Sequence, residues 1–469
     1  MNTTKLSGNQ RGRRKPMRFG CVLILTSCCL LLMPFIQASE LADDSNSVVQ
    51  AEDLAPFSFE DMLRQTMSNN PGIDIADARV EQAVHLSRQN GSYRYPRVEL
   101  SGAAGPEHND PAPGTESGKA TTNGRNLKLT VSKLLFDGGT SRSEFRRSQR
   151  LEGAAVAEAQ IVVEELFLEV VRYYIDYWRY QVELAQAEKF VATMQELVGD
   201  LDKMYQGGAA SKLEVDFARA RLASARGLSS AAKASLNNAL SELEYLSPGL
   251  EPFRALSPEV FSTMELLPLS EYFDQGAASN SGFVTNKFSI EATRMRVASR
   301  KGRFLPSLDF ELSGSIIDDE GGPSIQRDKA AAKLLLNYTL YSGGERRGGV
   351  QRAKAQLREL EAERAQLERD VFRAIDQSYN SITAARLTLD AVKDEIAANQ
   401  ELQRLNRQNL KMGTINIIEV IDVEERLFNA NVRKNEIVAT MHQEYFDLMI
   451  SSGFTPDVLQ AYSPALPKD

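Results

Sequence analysis

The sequence predicts a mainly α protein with a small β part, built from two copies of one unit: a β-hairpin followed by a very long helix. Three observations carry this. The chain matches itself about 205 residues downstream, two proline-free helical stretches of near-equal length dominate it, and two short segments switch to period-two alternation.

The first 39 residues stand apart. Arg11, Arg13, Arg14, Lys15 and Arg18 precede an apolar run from Phe19 to Ile36, and Ala38-Ser39 supplies small residues for cleavage, the pattern of a secretory signal peptide over 1–39. A retained anchor is the competing reading, but the run is barely long enough for a bilayer core of about 30 Å. Leu25-Thr26-Ser27-Cys28 resembles a lipoprotein cleavage box that would leave Cys28 acylated; the apolar run continues past it, which places cleavage near Ala38 instead. Cys21, Cys28 and Cys29 all lie here, so the mature chain is expected to have no disulfide and no thiolate chemistry. The segment holds six basic residues and no acidic ones, so its loss takes the formal net charge from −8 to −14 and argues against a nucleic-acid partner. No second run of 18 apolar residues exists, so a mature chain that enters a membrane does so as strands.

A flexible stretch, 40–56, leads to the first repeat, 57–250; a linker, 251–269, joins it to the second repeat, 270–455, and a tail, 456–469, follows. Leu134-Leu135-Phe136-Asp137-Gly138-Gly139 matches Thr339-Leu340-Tyr341-Ser342-Gly343-Gly344. Gly208, Leu213-Glu214-Val215 and Arg221-Leu222 match Gly413, Ile418-Glu419-Val420 and Arg426-Leu427 at the same offset. Each repeat opens on a helical stretch, from the capping pattern Ser58-Phe59-Glu60-Asp61 towards Tyr93, and from about Ser270 to Phe304. Pro96 and Pro306 end these stretches and alternation begins. Val98, Leu100 and Gly102 alternate with Arg97, Glu99 and Ser101, and Leu308, Phe310 and Leu312 with Asp309, Glu311 and Ser313. Turn-rich segments, His108 to Gly124 and Asp318 to Asp328, lead to return strands with Leu127, Leu129 and Val131, or Leu334, Leu336 and Tyr338, on one face. The hairpins cover about 97–135 and 307–341, with strands of about nine to eleven residues, a length that suits a tilted crossing of a bilayer. Phe136, Tyr338 and Tyr341 near the strand ends are candidates for an aromatic girdle.

Gly138-Gly139 and Gly343-Gly344 turn each hairpin into a long helix, 140–206 and 345–412, with three-four apolar spacing throughout. At ~1.5 Å per residue such a helix is a rod of about 100 Å. Gly208 and Gly413 permit reversals, and shorter helices return over about Ser211 to Tyr245 and Asn416 to Ile450. The cluster Tyr173, Tyr174, Tyr177, Trp178 and Tyr180 is read as helix packing. Four strands in lipid leave open edges, so closure requires several protomers, and a trimer supplies the strands of a barrel with a wet interior.

The order helix, hairpin, Gly-Gly, long helix, Gly-x-x-x-x-[Leu/Ile]-Glu-Val, helix, twice over from about Phe57 to Thr455, resembles the TolC family of outer-membrane efflux proteins. The resemblance implies a homotrimer with a 12-stranded outer-membrane β-barrel on a periplasmic α-helical barrel. It implies a passive exit duct fed by an inner-membrane ABC or other pump through a periplasmic adaptor, a membrane fusion protein. By the same resemblance Glu419 and Asp422 hold the acidic positions of the periplasmic entrance, Glu214 the corresponding place in the first repeat, and Leu410 and Ile415 the family's gate tyrosine and arginine positions. Glu419 and Asp422 share a helix face, and six such carboxylates in a trimer would attract cations. On spacing alone a solvated acidic face, supported by Glu424 and Glu425, is the plainer reading of that segment; the resemblance turns it in favour of a ring of carboxylates lining the lumen. Gly105-Pro106-Glu107-His108-Asn109-Asp110-Pro111 looks similar to members serving type I secretion of large adhesins; small-molecule efflux is the alternative, and a periplasmic coiled-coil adaptor a more distant one. No nucleophile motif, phosphate loop or metal spacing points to an enzyme or a cofactor, and His85, His108 and His442 share no ligand spacing.

Overall fold

The computed structural model describes residues 54–110, 120–256, 266–318, 326–412, 414–454 and 459; the signal segment, Cys28 and Gly413 lie outside them. The repeat is visible element by element. Repeat one runs β1 Pro56–Phe57, α1 Phe59–Asn69, α2 Pro71–Gly91, β2 Arg97–Asn109, β3 Ala120–Phe136, α3 Thr140–Gln206 and α4 Lys212–Leu246. Then β4 Arg254–Ala255 leads to α5 Leu269–Ser279, α6 Ser281–Gly302, β5 Ser307–Asp318, β6 Gln326–Asn337, α7 Glu345–Lys411 and α8 Ile417–Ser451.

The opening helical stretch of each repeat is two helices, not one. Asn70 and Asn280 sit in extended backbone at equivalent places, and their side chains accept from the N–H of Gly72 and of Phe283 to start a fresh helix. The Ser58 hydroxyl caps Asp61 as its sequence pattern predicts. The linker is also more structured than expected, because Phe57 and Ala255 pair in the small parallel sheet β1–β4. That sheet is fixed to α3 by the aromatic cluster. The Tyr174 hydroxyl donates to Phe57 O at 2.9 Å and the Tyr177 hydroxyl to Phe253 O at 3.0 Å. Burial in this core pushes the Tyr174 hydroxyl up to about 12. The aromatics are packing, and the largest apolar core lies here, where α1, α3, α4 and α8 meet.

The two hairpins join into one antiparallel sheet of order β2-β3-β5-β6. Its strands run 13, 17, 12 and 12 residues, longer than predicted, because pairing extends through Asn109↔Ala120 and Asp318↔Gln326 into what read as turns. At the other end β6 stops at Asn337, before Tyr338 and Tyr341, since β5 offers no partner beyond Ser307. The register collects the apolar residues on one face: Val98, Val131, Leu312 and Ala332 form one row, and Leu100, Leu129, Gly314 and Ala330 the next. The other face is polar, with Glu99, Thr130 and Ser313 in a row above Ser132, Glu311 and Lys333. Leu100 is 67% exposed and Leu334 66%, so this apolar face packs against nothing within the chain. Sequence-level alternation thus becomes a continuous apolar surface, the arrangement of a strand sheet facing lipid. Among the described residues no helix is long and apolar enough to cross a membrane.

Each sheet end bends into a rod at a glycine pair. Gly138 and Gly139 take φ +66° and +77°, and Gly343 and Gly344 +58° and +89°, a region that only glycine enters without strain. Gly138 is additionally pressed against the second repeat: a Cβ there would lie 2.8 Å from Leu305 Cβ, and one on Gly302 2.7 Å from Gly138 O. Gly343 has nothing within 4 Å, so the equivalent contact is open in the second repeat. α3 packs on α4, α6, α2 and α8, and α7 on α8 and α6, side by side. Both rods are 67 residues, about 100 Å at ~1.5 Å per residue.

Candidate channel entrance

The far ends of both rods share a backbone bond that reverses the chain. Gly208 takes φ +77°, Ala209 N–H donates to Met204 O at 2.8 Å and Gly208 N–H to Tyr205 O at 3.0 Å, the paired bonds of a Schellman reversal. At the equivalent place Thr414 N–H donates to Asn409 O at 3.0 Å. α4 then opens on a full capping box. The Ser211 N–H and hydroxyl donate to Glu214 Oε2 at 2.7 and 2.8 Å, and Glu214 N–H donates to the Ser211 hydroxyl. Those bonds hold the Glu214 carboxyl below its ordinary range. Glu214 is therefore a helix-starting residue, its carboxylate engaged locally.

Glu419 and Asp422 are both exposed near the start of α8 and share a face, as their spacing requires. They are not equivalent. Asp422 is paired with Arg426 one turn on, which offsets its charge, while Glu419 stands in the first turn after the Asn416 cap. Leu410 and Ile415 are partly buried in an apolar cluster with Val215, Val420 and Ile421. The positions that carry a polar lock in the resemblance are thus apolar packing here, joined by a stacked Phe190–Phe428 pair with ring centroids 4.9 Å apart.

Glu424 and Glu425 are not a solvated acidic face. Glu424 is 5% exposed, and Arg407 of α7 reaches its Oε1 with Nε at 2.9 Å and Nη2 at 2.6 Å, while Gln403 donates to Oε2 at 2.7 Å. Glu425 pairs with Arg221 of α4 at 3.0 Å, tying the first repeat to the second. Sequence reading missed both. The signal was present: Ile417, Val420, Ile421 and Glu424 fall in three-four phase, so a glutamate occupies a buried position of α8. Among the described residues no group of His, Cys, Asp or Glu is placed to hold a metal ion.

This geometry, two strand pairs on two hairpins of paired rods, can be compared with known proteins. The profile of the outer membrane efflux protein family matches residues 62–247 and 276–453, one block per repeat. The chain belongs to that family. It is 23% identical over 301 residues to the outer membrane efflux protein BepC of Brucella suis, covering 64% of this chain and 65% of BepC. It is 22% identical over 225 residues to the proteases secretion protein PrtF of Dickeya chrysanthemi, covering 46% of this chain and 49% of PrtF. The matches thus span about half to two thirds of the length of these relatives. The solved outer membrane channel CmeC of Campylobacter jejuni shares the fold, with TM-score 0.74 at 16% identity over 86% of this chain and 88% of that one. Membership places the chain in the outer membrane with a large periplasmic part.

Proposed function

We propose that three copies of this chain close into a passive exit duct, a 12-stranded barrel in the outer membrane continuous with a tube of long helices in the periplasm. The observation that carries this is the four-stranded sheet with a bare apolar face and two open edges, β2 and β6, joined without interruption to two 67-residue rods. An open edge in lipid is costly, and a ring of three sheets removes it. Tyr338 and Tyr341, unpaired within the chain, then lie where β2 of a neighbouring protomer continues the ladder. The duct takes cargo from an inner-membrane ABC or other pump through a periplasmic adaptor.

Protein secretion is the favoured cargo class, supported by the glycine- and proline-bearing first hairpin and by the likeness to a protein named for protease secretion. The name of BepC favours efflux as the second reading. Deleting the gene is expected to abolish release of a secreted protein and to leave drug tolerance unchanged. Heightened drug sensitivity with intact secretion would reverse the assignment.

At the entrance Glu419 is the principal charged residue of the conduit, with Asp422 contributing less because Arg426 offsets it. In planar bilayers Glu419→Gln is expected to lower cation selectivity more than Asp422→Asn does. Equal effects, or none, would remove Glu419 from that role.

A further inference from the structure

Where α3 and α6 lie side by side, their packing leaves a cleft of about 250 Å³. Val156, Ala157, Val284 and Phe288 make its apolar walls, and Gln160 and Ser281 form a polar end. Gly153 sets its width: a Cβ there would lie 2.8 Å from Phe288 Cε1, so the ring rests against bare backbone. Both polar side chains spend a donor on one carboxylate. The Ser281 hydroxyl donates to Glu164 Oε1 at 2.6 Å, and Gln160 Nε2 donates to the same oxygen at 3.1 Å. The hydroxyl has no second proton, so towards a ligand Ser281 is an acceptor, and Gln160, with its nitrogen on Glu164, keeps Oε1 as another. Glu164 itself is partly buried, and among the described residues no lysine or arginine pairs with it; the charge beside it is Glu165, of the same sign. A carboxylate drawn out of water without a counter-charge is costly, and burial accordingly lifts the Glu164 carboxyl above its ordinary range, against the two hydrogen bonds.

We propose that this cleft binds a small apolar amine in its ammonium form, with the apolar part between Val156, Val284 and Phe288 and the charged head at Ser281 and Gln160. Glu164, one hydrogen bond behind that head, supplies the counter-charge. An ammonium carries donors alone, which suits an end built of acceptors. An anion would meet those acceptors with a carboxylate behind them, and a neutral ligand would leave the carboxylate without a charge partner. The size agrees. A dry cavity of roughly 150 Å³ holds benzene, so about 250 Å³ holds an aromatic ring with a two-carbon chain and its head. The cleft is complete within one chain, with α2 packed beside α3 on one side and α7 beside α6 on the other. It therefore rests on neither the closed trimer nor the cargo class, and can fail while the duct stands.

Isothermal titration of the detergent-solubilised full chain at neutral pH, against a detergent blank, reads the site with two probes of one shape. They are 2-phenylethylamine, which is cationic, and 2-phenylethanol, which is not. The amine is expected to bind saturably and the alcohol about tenfold more weakly, since it lacks the charge-assisted bonds. Glu164→Gln keeps an acceptor for Ser281 and Gln160 while removing the charge, and is expected to weaken the amine to the level of the alcohol. Val156→Phe fills the cleft and is expected to abolish binding of both. Should Glu164→Gln not assemble, Ser281→Ala takes its place, with loss of the amine preference again expected. Absence of saturable amine binding, equal binding of the two probes by wild type, or an amine preference that survives the charge-removing variant or its substitute would overturn the proposal.

Discussion

Arg407→Ala is expected to lower the stability of the α7–α8 hairpin by about 3–5 kcal/mol, because it leaves Glu424 buried without its cation. The clamp holds Glu424 with two bonds from Arg407 and one from Gln403, and the glutamate is only 5% exposed. Thermal dissociation of the detergent-solubilised protein reads the effect. Arg404→Ala, which removes the exposed pair with Glu401 one turn away, is the control and is expected to leave the transition where it was. Removing both charges, as Arg407→Ala with Glu424→Leu, is expected to recover most of the loss, since a buried pair replaced by apolar packing is often neutral. Equal behaviour of Arg407→Ala and Arg404→Ala would show that Glu424 is not a buried charge.

Two neighbouring strand positions are expected to respond oppositely to the same change. Leu129→Arg places a guanidinium in the middle of the apolar face, in the row Leu100, Leu129, Gly314, Ala330, at a cost of about 2–4 kcal/mol at the bilayer midplane. Thr130→Arg places it on the polar face between Glu99 and Ser313, where water is available. The amount of heat-modifiable protein in outer-membrane fractions should fall sharply for the first and hold for the second. The reverse ranking would mean that the lipid and lumenal faces are exchanged.

The parts that were legible in the sequence share one property: they are written in a period or a repeat. The long rods, the alternation of Val98 to Gly102, and the glycine turns at Gly138 and Gly343 all follow from local preference repeated twice. Element ends were less legible. The break at Asn70 is signalled by Pro71 at the first position of the new helix, whereas that at Asn280 interrupts a pattern that stays helical on both sides and is revealed by its cap hydrogen bond. Strands outran their predicted ends because ladder pairing between Asn109 and Ala120 overrides the turn preference of the residues around them. The pairing of β3 with β5 could not be read at all, since nothing local links positions some 180 residues apart. At the candidate entrance the acidic positions were visible but their states were not. Whether a carboxylate is capped, as Glu214, paired along its helix, as Asp422, or clamped between helices, as Glu424, depends on neighbours that sequence spacing does not name.

In the proposed assembly this chain is one third of a closed wall, and its open strand edges allow a direct test. Carried through the repeat, the β3–β5 register Leu129↔Gly314 sets Leu334 of one protomer opposite Ala104 of the next. The three cysteines all lie within residues 21–29, so a pair introduced as Ala104→Cys with Leu334→Cys would be the only thiols after the signal segment. Oxidation in intact outer membranes is predicted to give a covalent trimer on denaturing gels, while each single variant stays monomeric. A double variant that oxidises only within one chain, or not at all, while remaining in the outer membrane would contradict the closed wall.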